Sequence, residues 1–233
     1  MKYPKLCETK KLHYGAYLYK VVIYNEISTI FRTELQKHGT LSHAKEVLEE
    51  YKKDFDAGRP IYKYKFRTRF LVTYEVFREA YKLYKLMLDM EDYKVRVDPY
   101  GSLIIYSNNL EDLEKVCNTI SVRELWKPSD DAIKLLLSRD NIIVCDEPVT
   151  LSYKVTLNRS RIGTTNQLAN WLKNNTDKSK VGKRALMMFE QDLYVDGLYF
   201  YVRDKKVLML IEMMVGNKIR RVDKLIYKGN IDK

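Results

Sequence analysis

The chain has 233 residues, a formal net charge of +11 at pH 7 and a hydrophobic content of 45%. This hydrophobic content argues against an intrinsically disordered chain, and no apolar run approaches the roughly 20 residues that a membrane-spanning helix needs. The charge favours a polyanionic partner, nucleic acid above all, although solvated lysines that bind nothing would give the same total.

Cysteine usage points to a reducing compartment. Cys7, Cys117 and Cys145 are an odd number with no CxxC pair, so neither a disulfide framework nor a zinc cluster is expected. The first residues also lack the hydrophobic segment of a secretion signal. We therefore expect an intracellular, cytoplasmic protein with no membrane partner and no cofactor or metal.

The first quarter of the chain reads as an arm, a strand and two helices. Residues 1–15 resemble an extended, lysine-rich arm, and the apolar run 16–24 predicts the first strand. A helix is expected over 27–37. The apolar spacing of 41–55 predicts a second, stronger helix with Ser42 as a candidate cap.

The segment 61–70 alternates aromatic and basic residues. Read as one strand, its period of two places Lys63, Lys65, Arg67 and Arg69 on one face and the aromatic side chains on the other. The aromatic face would be buried, and the basic face would follow a phosphate backbone. An antiparallel strand with one solvated face gives the same alternation without any ligand.

A long amphipathic helix is predicted over 72–90, followed by a hairpin of strands 92–97 and 103–106. A helix over 110–117 and a strand over 120–126 then complete this part of the chain. Residues 127–140 read as a connecting helix.

The second half repeats this succession of elements. A strand over 152–158 precedes helices over 165–174 and 178–191, the latter with a basic beginning. The aromatic strand 198–202 leads into 207–215, an almost wholly apolar helix expected to be packed deep in the core. Residues 219–227 give the last strand.

Two pairs of segments suggest that the second half is a duplicate of the first. Residues 103–106 align with 198–201, and Asn109 aligns with Asp204 as the cap of the following helix. Upstream, 19–23 resembles 153–157. Matching anchors in the same order indicate duplication, while chance similarity between two ordinary α+β units is the alternative.

The fold class predicted is α+β, with two tandem ferredoxin-like (βαββαβ) units, each an antiparallel sheet with helices on one face. The first unit spans 1–128 and carries a helical and basic-strand insertion around 41–70. Residues 129–148 form a connecting helix and linker, and the second unit spans 149–233.

No motif indicates catalysis. His13, His38 and His43 have no metal-binding spacing, and phosphate-loop, dinucleotide-binding and nucleophile-elbow motifs are missing from the sequence. The prediction is therefore a protein without catalytic residues. A metal-independent nuclease built on His13 and Tyr14 is kept as an alternative, because such sites leave no motif.

We predict a non-enzymatic nucleic-acid-binding protein for RNA or single-stranded DNA. Alternation puts Tyr199 and Tyr201 on one face of their strand and Phe200 on the other, so exposed tyrosines would form a base-stacking platform. The residues expected at the interface are Lys63, Lys65, Arg67, Arg69, Lys180, Lys183, Arg184, Tyr199, Tyr201, Lys218, Arg220 and Arg221. The alternative is a structural protein of a virus or mobile element, which acts through protein–protein contacts in a homo-oligomer or larger assembly.

Overall fold

The computed structural model describes residues 3–37, 39–65, 67–98, 101–138, 140–158, 165–193 and 196–230. This part of the chain is a mixed α/β structure with seven α-helices and three β-sheets. It divides into two compact units: unit 1 comprises Met1–Thr9 and Ala16–Ser129, and unit 2 comprises Lys10–Gly15 and Asp130–Lys233. Among the helices of the described residues, none has the length and apolar content needed to cross a bilayer.

Unit 1 contains a five-stranded sheet, a separate hairpin and three helices. Its strands are β1 (Lys5–Glu8), β2 (Tyr19–Tyr24), β3 (Ile61–Lys65), β4 (Thr68–Val72), β5 (Tyr93–Val97), β6 (Ser102–Ser107) and β7 (Glu124–Lys127). Its helices are α1 (Ser42–Asp56), α2 (Tyr74–Leu88) and α3 (Leu110–Thr119). Sheet 1 has the order β1-β7-β2-β6-β5, and β3 pairs only with β4.

The core of unit 1 lies between sheet 1 and its helices. Val21 and Ile23 of β2 are buried beside Leu103 and Ile105 of β6, and they share one apolar cluster with helix residues such as Leu113. The residues in between on these strands point to the opposite face.

Unit 2 contains the second five-stranded sheet. Its elements are α4 (Asp130–Ser138), β8 (Ile142–Cys145), β9 (Tyr153–Leu157), α5 (Thr165–Asn174), β10 (Ser179–Val181), α6 (Lys183–Glu190), β11 (Tyr199–Val202), α7 (Lys205–Val215) and β12 (Ile219–Tyr227). Sheet 2 has the order β10-β11-β9-β12-β8. Its core holds Val155, Phe200 and Val202 against residues of α5, α6 and α7.

The two sheets are built in the same way, strand for strand. In each, the first strand is parallel to the last, and all other neighbours are antiparallel. Val21 lies between Ile105 and Leu125, as Val155 lies between Phe200 and Val222. The segments paired from sequence, 19–23 with 153–157 and 103–106 with 198–201, therefore occupy equivalent places in two similar units.

The two aligned helix caps are also as predicted. The Asn109 side chain accepts a hydrogen bond from the Glu111 backbone N–H, and the Asp204 side chain accepts one from the Val207 backbone N–H. Each cap satisfies one of the backbone donors that a helix start leaves without an intrahelical partner.

Three local expectations are wrong. Residues 61–70 are not one strand but the hairpin β3–β4, where Arg67 has a left-handed φ of 69° at the reversal. Residues 27–37 form two short 3-10 turns, Ser28–Phe31 and Thr33–Leu35, instead of one helix. Residues 178–191 divide into β10 and α6, because Gly182 adopts an extended conformation between them.

Helix α7 is less buried than its composition suggests. Val207, Leu208, Ile211 and Val215 are buried, but Met209, Leu210 and Met213 are exposed to 55%, 42% and 84%. The N-terminal segment also differs from the expected free arm, since β1 joins sheet 1 and Lys10–Gly15 belongs to unit 2. Helix α4 and strand β8, which fall in the predicted linker, are counted with unit 2 as well.

Candidate nucleic-acid interface

One face of sheet 2, opposite α5, α6 and α7, carries two tyrosines. Phe200 is fully buried in the core, which puts its neighbours Tyr199 and Tyr201 on the opposite face of β11. Tyr199 is 45% exposed and Tyr201 is half-buried. Their rings are 5.7 Å apart with an interplanar angle of 81°, an edge-to-face pair. We call Tyr199 and Tyr201 the tyrosine platform.

Lysines flank the platform along a row that crosses three strands. Tyr201 pairs with Lys180 of β10 on one side and with Lys154 of β9 on the other. The Lys154 Nζ atom lies 3.9 Å from the centroid of the Tyr199 ring, within the range of a cation–π contact. Burial raises the pKa of Tyr201.

Sheet 1 contains an equivalent row, but its tyrosine is buried. Tyr106 of β6 pairs with Lys94 of β5 and with Lys20 of β2, in the register that Tyr201 has with Lys180 and Lys154. Tyr106 is only 6% exposed, and its ring centroid lies 6.4 Å from that of Tyr17. A base could therefore not stack on Tyr106 without displacing its neighbours.

Lys20 of this row is half-buried and packs against an aromatic ring, so it is less accessible to a ligand than a surface lysine. Its Nζ atom lies 3.8 Å from the centroid of the Trp126 ring. Burial lowers the pKa of Lys20, while the Glu124 carboxylate acts in the opposite direction. The repeated lysine is thus held against an aromatic ring in both units, but only unit 2 presents exposed tyrosine next to it.

The segment Lys10–Gly15 contacts β8 and β12 of sheet 2. The Val144 backbone N–H donates to the Lys10 carbonyl at 2.8 Å, which fixes the segment to β8. Lys11 donates to Asp223 Oδ2 at 2.8 Å, and Arg221 Nε donates to Asp223 Oδ1 at 2.6 Å. This ion cluster adjoins the row, because Asp223 is the cross-strand partner of Lys154.

The hairpin β3–β4 in unit 1 presents a different surface from the one expected. The cross-strand pairs Tyr62–Leu71 and Tyr64–Arg69 share its exposed face, with Arg69 stacked 3.8 Å from the centroid of the Tyr62 ring. Lys63 lies on the other face, 5.5 Å from the centroid of Tyr51, and burial lowers its pKa. The expectation that the aromatic side chains are buried and the cations share one face is therefore wrong, because the chain reverses at Arg67 and forms a two-stranded surface.

The remaining predicted residues are dispersed. Lys183 and Arg184 are exposed at the start of α6, a helix that packs Ala185 and Phe189 into the core on the helix side of sheet 2. Lys218 is half-buried in the turn after α7, and Arg220 is exposed on β12. The side chain of Lys65 lies outside the described residues.

Sheet 2 thus brings together Lys180, Tyr199, Tyr201 and Arg221 from the predicted set. The sequence reasoning missed Lys154, Lys11 and Asp223. Lys154 had a readable signal, since it aligns with Lys20 in the matched segments 19–23 and 153–157. Lys11 and Asp223 had none, because they meet only through folding across 212 residues of chain.

Within the described ranges, no three His, Cys, Asp or Glu side chains are grouped closely enough to hold a metal ion. His38 lies outside those ranges, and His43 is the second residue of α1. The nuclease alternative based on His13 and Tyr14 stays a prediction. No protein-family model, no curated protein and no solved structure matches the chain.

Proposed function

We propose that this protein binds single-stranded nucleic acid, RNA or single-stranded DNA, without catalysis, through the face of sheet 2 opposite α5, α6 and α7. The observation that carries the proposal is the row Lys180–Tyr201–Lys154 beside the exposed Tyr199. Proteins bind single strands through two kinds of contact: aromatic rings stack on the bases, and cations contact the phosphates. The row places both kinds of side chain next to each other.

The geometry favours unpaired bases over a duplex. A tyrosine platform offers a ring face on which an unstacked base gains roughly 1–3 kcal/mol, whereas the bases of a duplex are already stacked on each other. Lys154 and Lys180 on either side of Tyr201 would contact phosphates. A duplex could use the lysines but not the tyrosines, so it should bind more weakly.

We further infer that both units are ferredoxin-like and arose by duplication. The succession β2–α2–β5–β6–α3–β7 in unit 1 and β9–α5–β10–β11–α7–β12 in unit 2 supports this, since each follows the β-α-β-β-α-β order of that fold. Unit 1 would then carry α1 and the β3–β4 hairpin as an insertion, and unit 2 would carry α6. Each unit also has an added edge strand, β1 or β8, parallel to its last strand.

The test is a binding titration of the full chain with short, fluorescently labelled oligonucleotides of mixed sequence. Single-stranded RNA, single-stranded DNA and a duplex of the same sequence are compared by fluorescence anisotropy. Binding of a single strand should weaken steeply between about 50 and 200 mM salt, because phosphate contacts release counterions. No binding at low salt, or tighter binding of the duplex, would overturn the proposal.

A second candidate is a role in assembly, which the exposed side of α7 favours. Met209, Leu210 and Met213 together present an apolar stripe that a partner chain could cover. Light scattering of the full chain should then give a defined oligomer, and Met213→Glu should dissociate it. A monomer at high protein concentration would exclude self-assembly through α7.

A further inference from the structure

A buried carboxylate in unit 2 holds two cations at the edge of the tyrosine platform. The Asp223 side chain is 1% exposed and bonds Lys11 at 2.8 Å and Arg221 at 2.6 Å. A charge this deeply buried is tolerated only with partners close by. The positions of Lys11 and Arg221 are therefore fixed by the fold.

A third cation belongs to the same cluster. Lys154 is directly opposite Asp223 in the antiparallel pair of β9 and β12, so both side chains leave the sheet on the same face. Burial lowers the pKa of Lys11, the Asp223 carboxylate raises it, and the positive charges of Arg221 and Lys154 lower it further. The cluster thus contains one carboxylate, the two cations that bond it and a third cation on the neighbouring strand, so its net charge is positive.

Lys11 and Arg221 are more exposed than the carboxylate that they bind. The side chains of Lys11 and Arg221 are 31% and 27% exposed, whereas that of Asp223 is almost fully covered. An anion that approaches this face would meet ammonium and guanidinium groups before it met the carboxylate. Arg221 uses its Nε–H for Asp223, which leaves the terminal N–H groups of its guanidinium to bind oxygen atoms of a ligand.

We propose that Lys11, Lys154 and Arg221 form a phosphate-binding subsite, with Asp223 as the positioning residue. The ligand is a phosphate group of a nucleic-acid strand, because Lys154 belongs to both the subsite and the surroundings of the tyrosine platform. Its Nζ atom contacts the Tyr199 ring, and it is the cross-strand partner of Tyr201. A phosphate in the subsite places the adjoining base over the platform. This inference rests on the proposed function and identifies where the strand is anchored.

The neighbouring lysine gives a matched control. Lys10 forms an ion pair with Asp146 in which both side chains are about half exposed, and Lys228 approaches Asp146 to 3.6 Å. Lys10 and Lys11 are adjacent in sequence and carry equal charge, but Lys10 pairs with Asp146 and Lys11 pairs with Asp223 beside Arg221. Changing either one therefore removes the same net charge from the same segment.

The experiment compares Lys11→Met and Lys10→Met in the full chain. Lys11→Met should weaken single-strand binding and reduce the slope of log K against log salt by about one, as expected for a lost phosphate contact. Lys10→Met should bind like the parent protein. If the two variants have equal affinities and slopes, the subsite is overturned while the proposed function stands.

A second measurement does not depend on the variants or on a strand. Inorganic phosphate is titrated against the parent protein at constant ionic strength, with backbone amide shifts followed by NMR. Shifts centred on residues 11, 154 and 221 support the subsite. If these shifts occur but no oligonucleotide binds, the proposed function is overturned and the subsite stands. Shifts scattered over surface lysines, or absent at these three residues, would overturn the subsite. A 5′-phosphorylated and an unphosphorylated oligonucleotide then distinguish a terminal phosphate from an internal phosphodiester.

Discussion

Lys154 and Lys20 occupy the same position in the two sheets, each on the central strand opposite a tyrosine of the neighbouring strand. The surroundings of the two lysines differ. Lys154 lies over Tyr199, which is 45% exposed, whereas Lys20 lies over Trp126 beside the buried Tyr106. The repeat therefore supplies the row twice, and unit 2 has the accessible copy.

Removal of the exposed ring should weaken binding of single strands. Tyr199→Ala is expected to raise Kd by about 5- to 150-fold, which corresponds to the roughly 1–3 kcal/mol that base–aromatic stacking contributes. Anisotropy titration with a single-stranded oligonucleotide measures the change, and circular dichroism checks that the variant is folded.

Tyr64→Ala is the control for this loss, because Tyr64 is 73% exposed on the β3–β4 hairpin of unit 1, a different sheet from the tyrosine platform. It should leave Kd unchanged. If Tyr64→Ala raised Kd strongly and Tyr199→Ala did not, the binding surface would be the β3–β4 hairpin and not sheet 2.

The buried Asp223 should be important for stability. Asp223→Asn leaves Lys11 and Arg221 half-buried without their negative partner, and loss of one member of a buried ion pair costs about 3 kcal/mol. Urea denaturation should show the lower free energy of unfolding. The matching change at the exposed pair, Asp146→Asn, should leave stability nearly unchanged. Equal effects of the two changes would contradict the account of the cluster.

The cap of α7 should make stability depend on acid pH. The Val207 backbone N–H, which bonds the Asp204 carboxylate, lowers the pKa of that group, with the Arg203 guanidinium contributing further. Because the folded pKa is depressed, the stabilisation is complete above the unfolded value of about 4 and is lost as pH falls through the folded pKa.

Asp204→Asn tests this, since asparagine caps a helix as well as aspartate but does not titrate. The stability of the parent protein relative to Asp204→Asn should fall as the pH is lowered below about 4. The urea midpoints of both proteins, measured as the pH is lowered through about 4, test this prediction. A constant difference would show that the carboxylate charge does not contribute to the cap.

The sequence predicted the repeat because its anchors are local. Apolar strands such as 19–23 and caps such as Asp204 depend on residues next to each other in the chain, so composition and spacing reveal them. Lys154 could have been found in the same way, from the alignment of 153–157 with 19–23.

The wrong predictions of secondary structure fall where the backbone conformation of one residue decides whether an element continues. The alternation in 61–70 fits a continuous strand, but the chain reverses where Arg67 is left-handed and forms a hairpin with two exposed tyrosines. Gly182 likewise separates a strand from a helix. The contact of Lys11 with Asp223 joins distant parts of the chain, and no local pattern contains it.

The central claim is that the row in sheet 2 contacts phosphates. The most direct test removes Lys154 and Lys180 together, as Lys154→Ala/Lys180→Ala, and measures the salt dependence of single-strand binding. The control Lys205→Ala/Lys206→Ala removes the same charge from the exposed start of α7, on the helix side of the sheet. The account predicts a slope reduced by about two for the first variant and an unchanged slope for the control. Identical slopes and affinities for the two variants would contradict it.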